Sequence, residues 1–261
     1  LTESYERSAM LLLFTMLPIL FSSTVYNISS VLDDFLYSSI MTSLGSKTKQ
    51  IVMEWGIFGE YHVLFNIPVA LANALSSSLI PALTMAVASH DRQKTLSQIR
   101  VSIRFTLLIA VPCSIGMAVL ADPLSRMLFP GKNVHLLIQL TRVGSFAVLL
   151  YSLSTITNAI LQGLGHLNLP LYHSMVALVL HLLSLVLFLY AGIGIYGVVL
   201  SNIVFALIMC FLNQRAIFRH TRFRIDLFRS LVMPMLSGLI MGGAAYVIYF
   251  VIHVLLPEGL R

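Results

Sequence analysis

The sequence predicts an all-α, polytopic transmembrane helix bundle of about seven spans. Three observations carry this. Of 261 residues 58% are hydrophobic and only 10% charged, where soluble domains keep about a quarter of their residues charged. Seven apolar runs reach the roughly 20 residues that a helix needs to cross the hydrocarbon core, and a helix is the one open-ended element that satisfies its own backbone there. Lysine and arginine cluster in alternate connections, as loops on the inner side of a membrane retain them.

The runs lie near 9–40, 57–88, 97–120, 135–163, 167–191, 194–218 and 230–255. The lead-in "LTESYER" has neither a basic stretch nor a small-residue cleavage site and begins at Leu1; it reads as the cytoplasmic start of a truncated chain rather than a signal peptide. The first run exceeds the length of a span, so it is expected to tilt, to bend at Pro18 or to project beyond the outer surface. One row on it, Ser23, Asn27, Ser30, Asp34 and Ser38, adjoins another, Ser22, Tyr26, Ser29, Asp33 and Tyr37. Together they form one wide polar face over four turns. An ionised carboxylate facing hydrocarbon costs at least about 2.5–3.5 kcal/mol, so this face is expected to look onto water or protein. Counting from Met10 places Asp33 and Asp34 at the outer interface, bordering the outward opening of a cavity. Hydration, a polar contact between helices, and binding of a substrate or cation are all open to them.

The following loop holds Lys47 and Lys49, and Trp55, Phe58 and Tyr61 read as part of an interfacial aromatic belt. The second run carries His62, Asn66, Asn73, Ser77 and Thr84 on one face and is interrupted by Pro68 and Pro81. Amides inside a span either bond to neighbouring helices or line a pathway. The connection "HDRQK" leads to the third run, with Pro112, and "ADPLSRMLFPG" (121–131) is too short to span and reads as a short interfacial helix. The fourth run carries a polar row, Ser152, Thr155, Asn158 and Gln162, and ends in "LQGLGH"; the fifth begins near Pro170 and places His173 and His181 on one face. The basic stretch "RAIFRHTRFRIDLFR" separates the sixth run from the seventh.

Placing the start inside puts ten of the 16 Lys and Arg residues on the inner side and six on the outer, which predicts a cytoplasmic start. The net charge of +6 needs no nucleic-acid partner, because basic loops meeting anionic inner-leaflet lipid account for it. Arg104 and Arg142, at the edges of their runs, either reach the headgroup region or serve as anchors for a lipid pyrophosphate. Cys113 and Cys210 sit in apolar runs without a partner motif, and the two histidines of the fifth run have no carboxylate or cysteine to complete a metal set. No catalytic constellation such as H-E-x-x-H, G-x-S-x-G or a P-loop is present, so the chain is expected not to be an enzyme and to need no cofactor.

Four segments together, "FNIPVALANALSSSLIPALT" (65–84), "ADPLSRMLFPG" (121–131), "ILQGLGHLNLP" (160–170) and "GIGIYGVVLSNIVFALIMCFLN" (192–213), resemble the polysaccharide-biosynthesis, lipid-linked oligosaccharide flippase branch of the MOP exporter superfamily, MurJ- and SpoVB-like. The resemblance implies a 14-helix alternating-access carrier of two six-helix lobes, with this sequence its C-terminal half, helices seven to thirteen. Residues 1–220 would then be the second lobe, and 221–261 a basic cytoplasmic linker plus one further transmembrane helix. It implies a multi-pass protein of the bacterial cytoplasmic membrane, partnered by the first lobe of the same protein. The implied substrate is an undecaprenyl-pyrophosphate-linked saccharide, lipid II first, with coupling to Na+, H+ or the membrane potential. Its cavity would draw on Asn27, Ser30, Asp33, Asp34, Asn66, Asn73, Asn158 and Gln162. Its cation site would draw on Asp33, Asp34 and Asn202, with His173, His181 and Ser201 at corresponding positions. Two rivals fit the same residues: a MATE-like, cation-coupled exporter of organic cations, and a non-transporting membrane scaffold that recruits wall-synthesis enzymes through its basic loops.

Overall fold

A computed structural model describes residues 17, 20, 24, 28–131, 133–224 and 228–255, the side chains of 229 and 252–255 excepted. The described residues form helices joined by short turns and contain no strand. We number the helices α1 (residues 28–43), α2 (Thr48–Ala88), α3 (Arg92–Val119), α4 (Ala121–Leu128), α5 (Val134–Gly163), α6 (Asn168–Tyr190), α7 (Ile195–Thr221) and α8 (Met233–Leu255), the last preceded by a π-helical turn at Phe228–Val232. Six helical segments among the described residues are long and apolar enough to cross a membrane. They correspond to the second to seventh runs of the sequence, while half of the first run lies outside the described residues.

The ends are set by local chemistry. Asp91 caps α3, its side chain accepting from Lys94 N at 2.9 Å, which satisfies one of the unpaired donors of a first turn. α5 stops at a Schellman turn in which His166 N donates to Leu161 O and Gly165 N to Gln162 O, both 2.9 Å. Gly165 holds φ +85° there, a conformation that a Cβ disfavours. Pro68, Pro81 and Pro112 sit inside continuous helices, and Pro170 falls in the first turn of α6, where its missing N–H costs nothing.

One boundary differs from the sequence reading. α2 begins at Thr48, not near 57, because 48–56 is too polar for a span yet helical: Gln50 Nε2 donates to Glu54 Oε1 at 2.8 Å, Tyr37 Oη donates to Glu54, and Trp55 stacks on Tyr37 at 5.5 Å. The aromatic belt is corrected with it. Phe58 and Tyr61 are buried, 7% and 4% exposed, and continue a run of ring contacts along α2 rather than ringing the surface.

α5 is the axis of the bundle, packed by α2, α3 and α7. Near one end the core is Tyr37, Phe58, Tyr61, Phe65, Leu137 and Val148; near the other it is Leu83, Ile103, Ile156, Ile160 and Ile217. α2 closes on α5 through Gly144, where Tyr61 Oη donates to the Gly144 carbonyl at 3.4 Å and a Cβ would overlap the tyrosine ring. Gly144→Ala therefore forces Tyr61 off this seat; we expect a loss of about 1–3 kcal/mol, the usual cost of overpacking, read as a lower unfolding midpoint of the detergent-solubilised protein. α8 packs along α3 through Gly238 and Gly242, where added Cβ atoms would lie 2.7 and 2.9 Å from Ile115, the small-xxx-small approach common between spans. The outer faces of α6 and α8 expose Leu183, Leu187, Ile240 and Val247, as a surface in contact with lipid does.

Candidate functional site

A cavity of about 710 Å³ opens between α1, α2, α5 and α7. Helical spacing builds it. On α2, His62, Asn66, Val69, Asn73, Ser76 and Ile80 succeed one another at steps of three and four, and Tyr151, Thr155, Asn158 and Gln162 do so on α5, so each set forms one stripe. α1 adds Ser29, Ser30 and Asp33, and α7 adds Asn202 and Phe205. Amides, hydroxyls and aromatic rings alternate along these walls. Among the described lining residues there is no lysine or arginine, and Asp33 is the one acid.

The amides differ in how far they are already engaged. Asn66 Nδ2 lies 3.0 Å from His62 Nδ1. Asn202 Oδ1 accepts from Tyr151 Oη at 3.1 Å, and its Nδ2 donates to Val198 O at 3.0 Å. Asn158 Oδ1 accepts from Asn213 Nδ2 at 2.8 Å. Asn213, fully buried, also donates to Thr157 Oγ1 at 3.1 Å and accepts from His173 Nδ1 at 2.7 Å. The side chains of Asn73 and Gln162 line the cavity without a hydrogen-bond partner among the described residues. Their donors and acceptors face the open space.

Of the residues singled out from sequence, Ser30, Asp33, Asn66, Asn73, Asn158, Gln162 and Asn202 meet at this cavity, and Asn27 lies outside the described residues. Asp34 does not join them. Neighbouring residues on a helix point about 100° apart; with Asp33 turned inward, Asp34 is exposed on another face. Of the readings left open for the pair, Asp33 takes the polar contact between helices. Asp33 is 3% exposed, and His181 Nε2 from α6 lies 2.6 Å from its Oδ1. This also corrects the expectation that the fifth-run histidines lack a carboxylate, because α1 delivers one to His181. The cation set of Asp33, Asp34 and Asn202 is not assembled, since Asp34 faces away.

Neither candidate phosphate anchor reaches the cavity. Arg142 is exposed; it stands nine residues before Tyr151, which at about 100° per residue places it on the opposite side of α5. Arg104 lies with Val101, Phe105, Leu108, Met233 and Pro234 in an apolar groove between α3 and α8. Sequence reading missed Tyr151 and Asn213. Tyr151 stands four residues before Thr155, a spacing that extends the polar row by a turn. Asn213 follows Asn202 by eleven residues, three turns on the same face of α7, hidden in an apolar run.

At the end of the bundle where α7 stops, the His166 and His220 rings lie with centroids 3.9 Å apart. Burial, then the neighbouring His220, pushes the His166 imidazole below the ordinary histidine value. Arg222 and Arg224 sit over the Phe218 ring at 5.9 and 5.1 Å, a basic end with cation–π support.

With this geometry in view, the family model described as lipid II flippase MurJ matches residues 3–260. Lipid II flippase MurJ of Bacillus subtilis (strain 168) is 30% identical over 104 residues, 39% of this chain and 19% of that protein. A solved MATE in complex with MaL6 superposes with a TM-score of 0.67 at 21% identity, covering 82% of this chain and 46% of that one. The outward-facing conformation of a multidrug resistance MATE family transporter of the MOP superfamily gives 0.68 at 18% identity, covering 88% and 52%. At these identities the structural likeness is one of fold. The chain spans about half the length of the solved chains, and the aligned stretch is a fifth of the curated relative.

Proposed function

Since this chain belongs to the lipid II flippase MurJ family, we propose that it forms one lobe of an alternating-access carrier that turns a polyprenyl-diphosphate-linked saccharide, lipid II first, across the cytoplasmic membrane. The observation that carries the reading is the cavity wall, in which Asn73 and Gln162 offer amides that the described protein does not use. Amides, hydroxyls and aromatic faces suit the hydroxyl-rich saccharide of such a lipid, while the apolar outer faces of the helices leave its chain in the bilayer. The wall supplies no cationic side chain among its described residues. The diphosphate is therefore met elsewhere, in our reading by the partner lobe of the same protein.

In this reading residues 1–220 are the second lobe and 221–261 the basic linker with the next span. The start lies on the cytoplasmic side, as the ten-to-six distribution of Lys and Arg favours. Arg219, Arg222 and Arg224 then meet anionic inner-leaflet lipid. The protein carries its substrate and leaves it chemically unchanged.

One observation favours the rival exporter of organic cations: an acid, Asp33, stands in the wall. Its burial and its engagement by His181 leave it poorly placed to attract an organic cation. The two readings separate in proteoliposomes containing the protein that carries this chain. We expect a fluorescent lipid-linked diphosphate saccharide to become accessible to a membrane-impermeant quencher only when the protein is present. Ion flux driven by organic cations, with no such exposure of the lipid, would replace the flippase reading by the exporter.

A further inference from the structure

Asn213 of α7 is fully buried, and each of its hydrogen-bonding groups has a partner. An amide shut away from water is costly unless its N–H groups and its oxygen are met. Its Nδ2 donates to Thr157 Oγ1 at 3.1 Å and to Asn158 Oδ1 at 2.8 Å, both on α5. Its Oδ1 meets His173 Nδ1 of α6 at 2.7 Å. Three helices are therefore tied together at one carboxamide.

Thr157 sets the direction of this chain of bonds. Its single hydroxyl proton lies against the Leu153 and Ser154 carbonyls of its own helix, 2.7 and 2.9 Å away, and a carbonyl has no proton to give. Towards Asn213 the Thr157 oxygen accepts, which turns the Asn213 N–H2 edge to α5 and its oxygen to α6. His173 then donates from Nδ1, and Asn158, receiving the second N–H, gives its oxygen to α7. Thr157, His173 and Asn213 stand behind the cavity wall, whereas Asn158 is part of it.

The sense of the Asn158 amide is thus fixed from behind. A carboxamide carries its N–H2 group on the edge away from its oxygen, and the Asn158 oxygen is drawn to α7. Asn73 and Gln162 differ, because neither side chain is bonded to the described protein and each turns whichever edge a guest requires. A hydroxyl both donates and accepts and so pairs with either edge; a carbonyl or ether oxygen only accepts and needs the N–H2 edge. We propose that Asn158 is a specificity-determining residue of the cavity, donating to a carbonyl or ether oxygen of the saccharide, and that Asn213 and His173 are positioning residues that hold its amide in that sense. The proposal deepens the reading of the cavity as the substrate route and rests on it.

Two measurements on the protein that carries this chain test it. In proteoliposomes, Asn158→Leu is expected to raise the half-saturating mole fraction of a lipid-linked diphosphate saccharide about tenfold, the worth of one hydrogen bond, with the maximal rate held. His173→Leu lets the Asn213 amide turn, and halving the population of the competent edge raises that mole fraction about twofold or more. His173→Asn, whose amide nitrogen stands as far from Cβ as Nδ1 does, restores the wild-type value. Once Asn158 is leucine, His173→Leu adds nothing further, because the one acts through the other. Independently of transport, nitrogen NMR of labelled histidines in detergent is expected to show the neutral His173 ring protonated on Nδ1, its signal identified by its absence from His173→Asn. Wild-type half-saturation in Asn158→Leu, an effect of His173→Leu that persists in full without Asn158, or a neutral His173 ring protonated on Nε2 overturns the proposal. A protein that flips no lipid-linked saccharide overturns the reading of the cavity itself, whatever the His173 signal.

Discussion

Leucine at both Asn73 and Gln162 is expected to lower flipping of a lipid-linked saccharide about a hundredfold while membrane abundance stays at the wild-type level. Both amides face the cavity, and neither is bonded to the described protein. The fold therefore loses no internal hydrogen bond when they are replaced by a side chain of similar length. A guest loses one bond at each site. A neutral hydrogen bond is worth up to about 1.5 kcal/mol, and 1.4 kcal/mol is a factor of ten, so two sites give two decades. Arg142→Leu, on the far side of α5, is the control and should leave the rate unchanged. Rates are read as protection of a labelled lipid from an impermeant quencher, normalised to reconstituted protein. A double variant within a few-fold of wild type would remove the cavity from the substrate route.

The second large effect is on stability, and it separates two adjacent acids. Asp33→Ala leaves His181 buried beside an empty position, with Nδ1 already lacking a partner among the described residues. An orphaned buried polar group costs about 1–3 kcal/mol, and about 3–5 when a charge is left behind. Asp34→Ala removes an exposed side chain and should fall within about 0.5 kcal/mol of wild type. Thermal unfolding of the detergent-solubilised variants at one pH checks this directly. Equal midpoints for the two would mean that Asp33 and His181 do not meet.

That contrast shows where sequence reading reaches its limit. The spans were legible because hydropathy over 20 residues reports burial in lipid whatever the tertiary arrangement. The amide rows of α2 and α5 were legible because a helix repeats every 3.6 residues regardless of its neighbours. Choosing between Asp33 and Asp34 required the rotation of α1, which is expressed through His181, 148 residues away. Arg104 and Arg142 lie off the cavity for the same reason, because the depth of a residue in a span is readable from sequence but its azimuth is not. The early start of α2 escaped notice because hydropathy identifies a span, whereas residues 48–56 are helical without being apolar. Asn213 escaped because a single amide in an apolar run carries no period of its own.

The length of α2 has a mechanical consequence. Its 41 residues rise about 60 Å, twice the thickness of the hydrocarbon core, so a single rod reaches out of the bilayer while its middle turns line the cavity. Such a rod behaves as a lever. A tilt of about ten degrees around one end carries the other roughly 10 Å sideways, a displacement comparable to the width of a neighbouring helix. Asn73 stands about 22 Å from the Ala88 end, so a head group that draws it aside by about two ångströms would carry the far end by roughly 5 Å, on the side where Glu54 and Trp55 grip Tyr37.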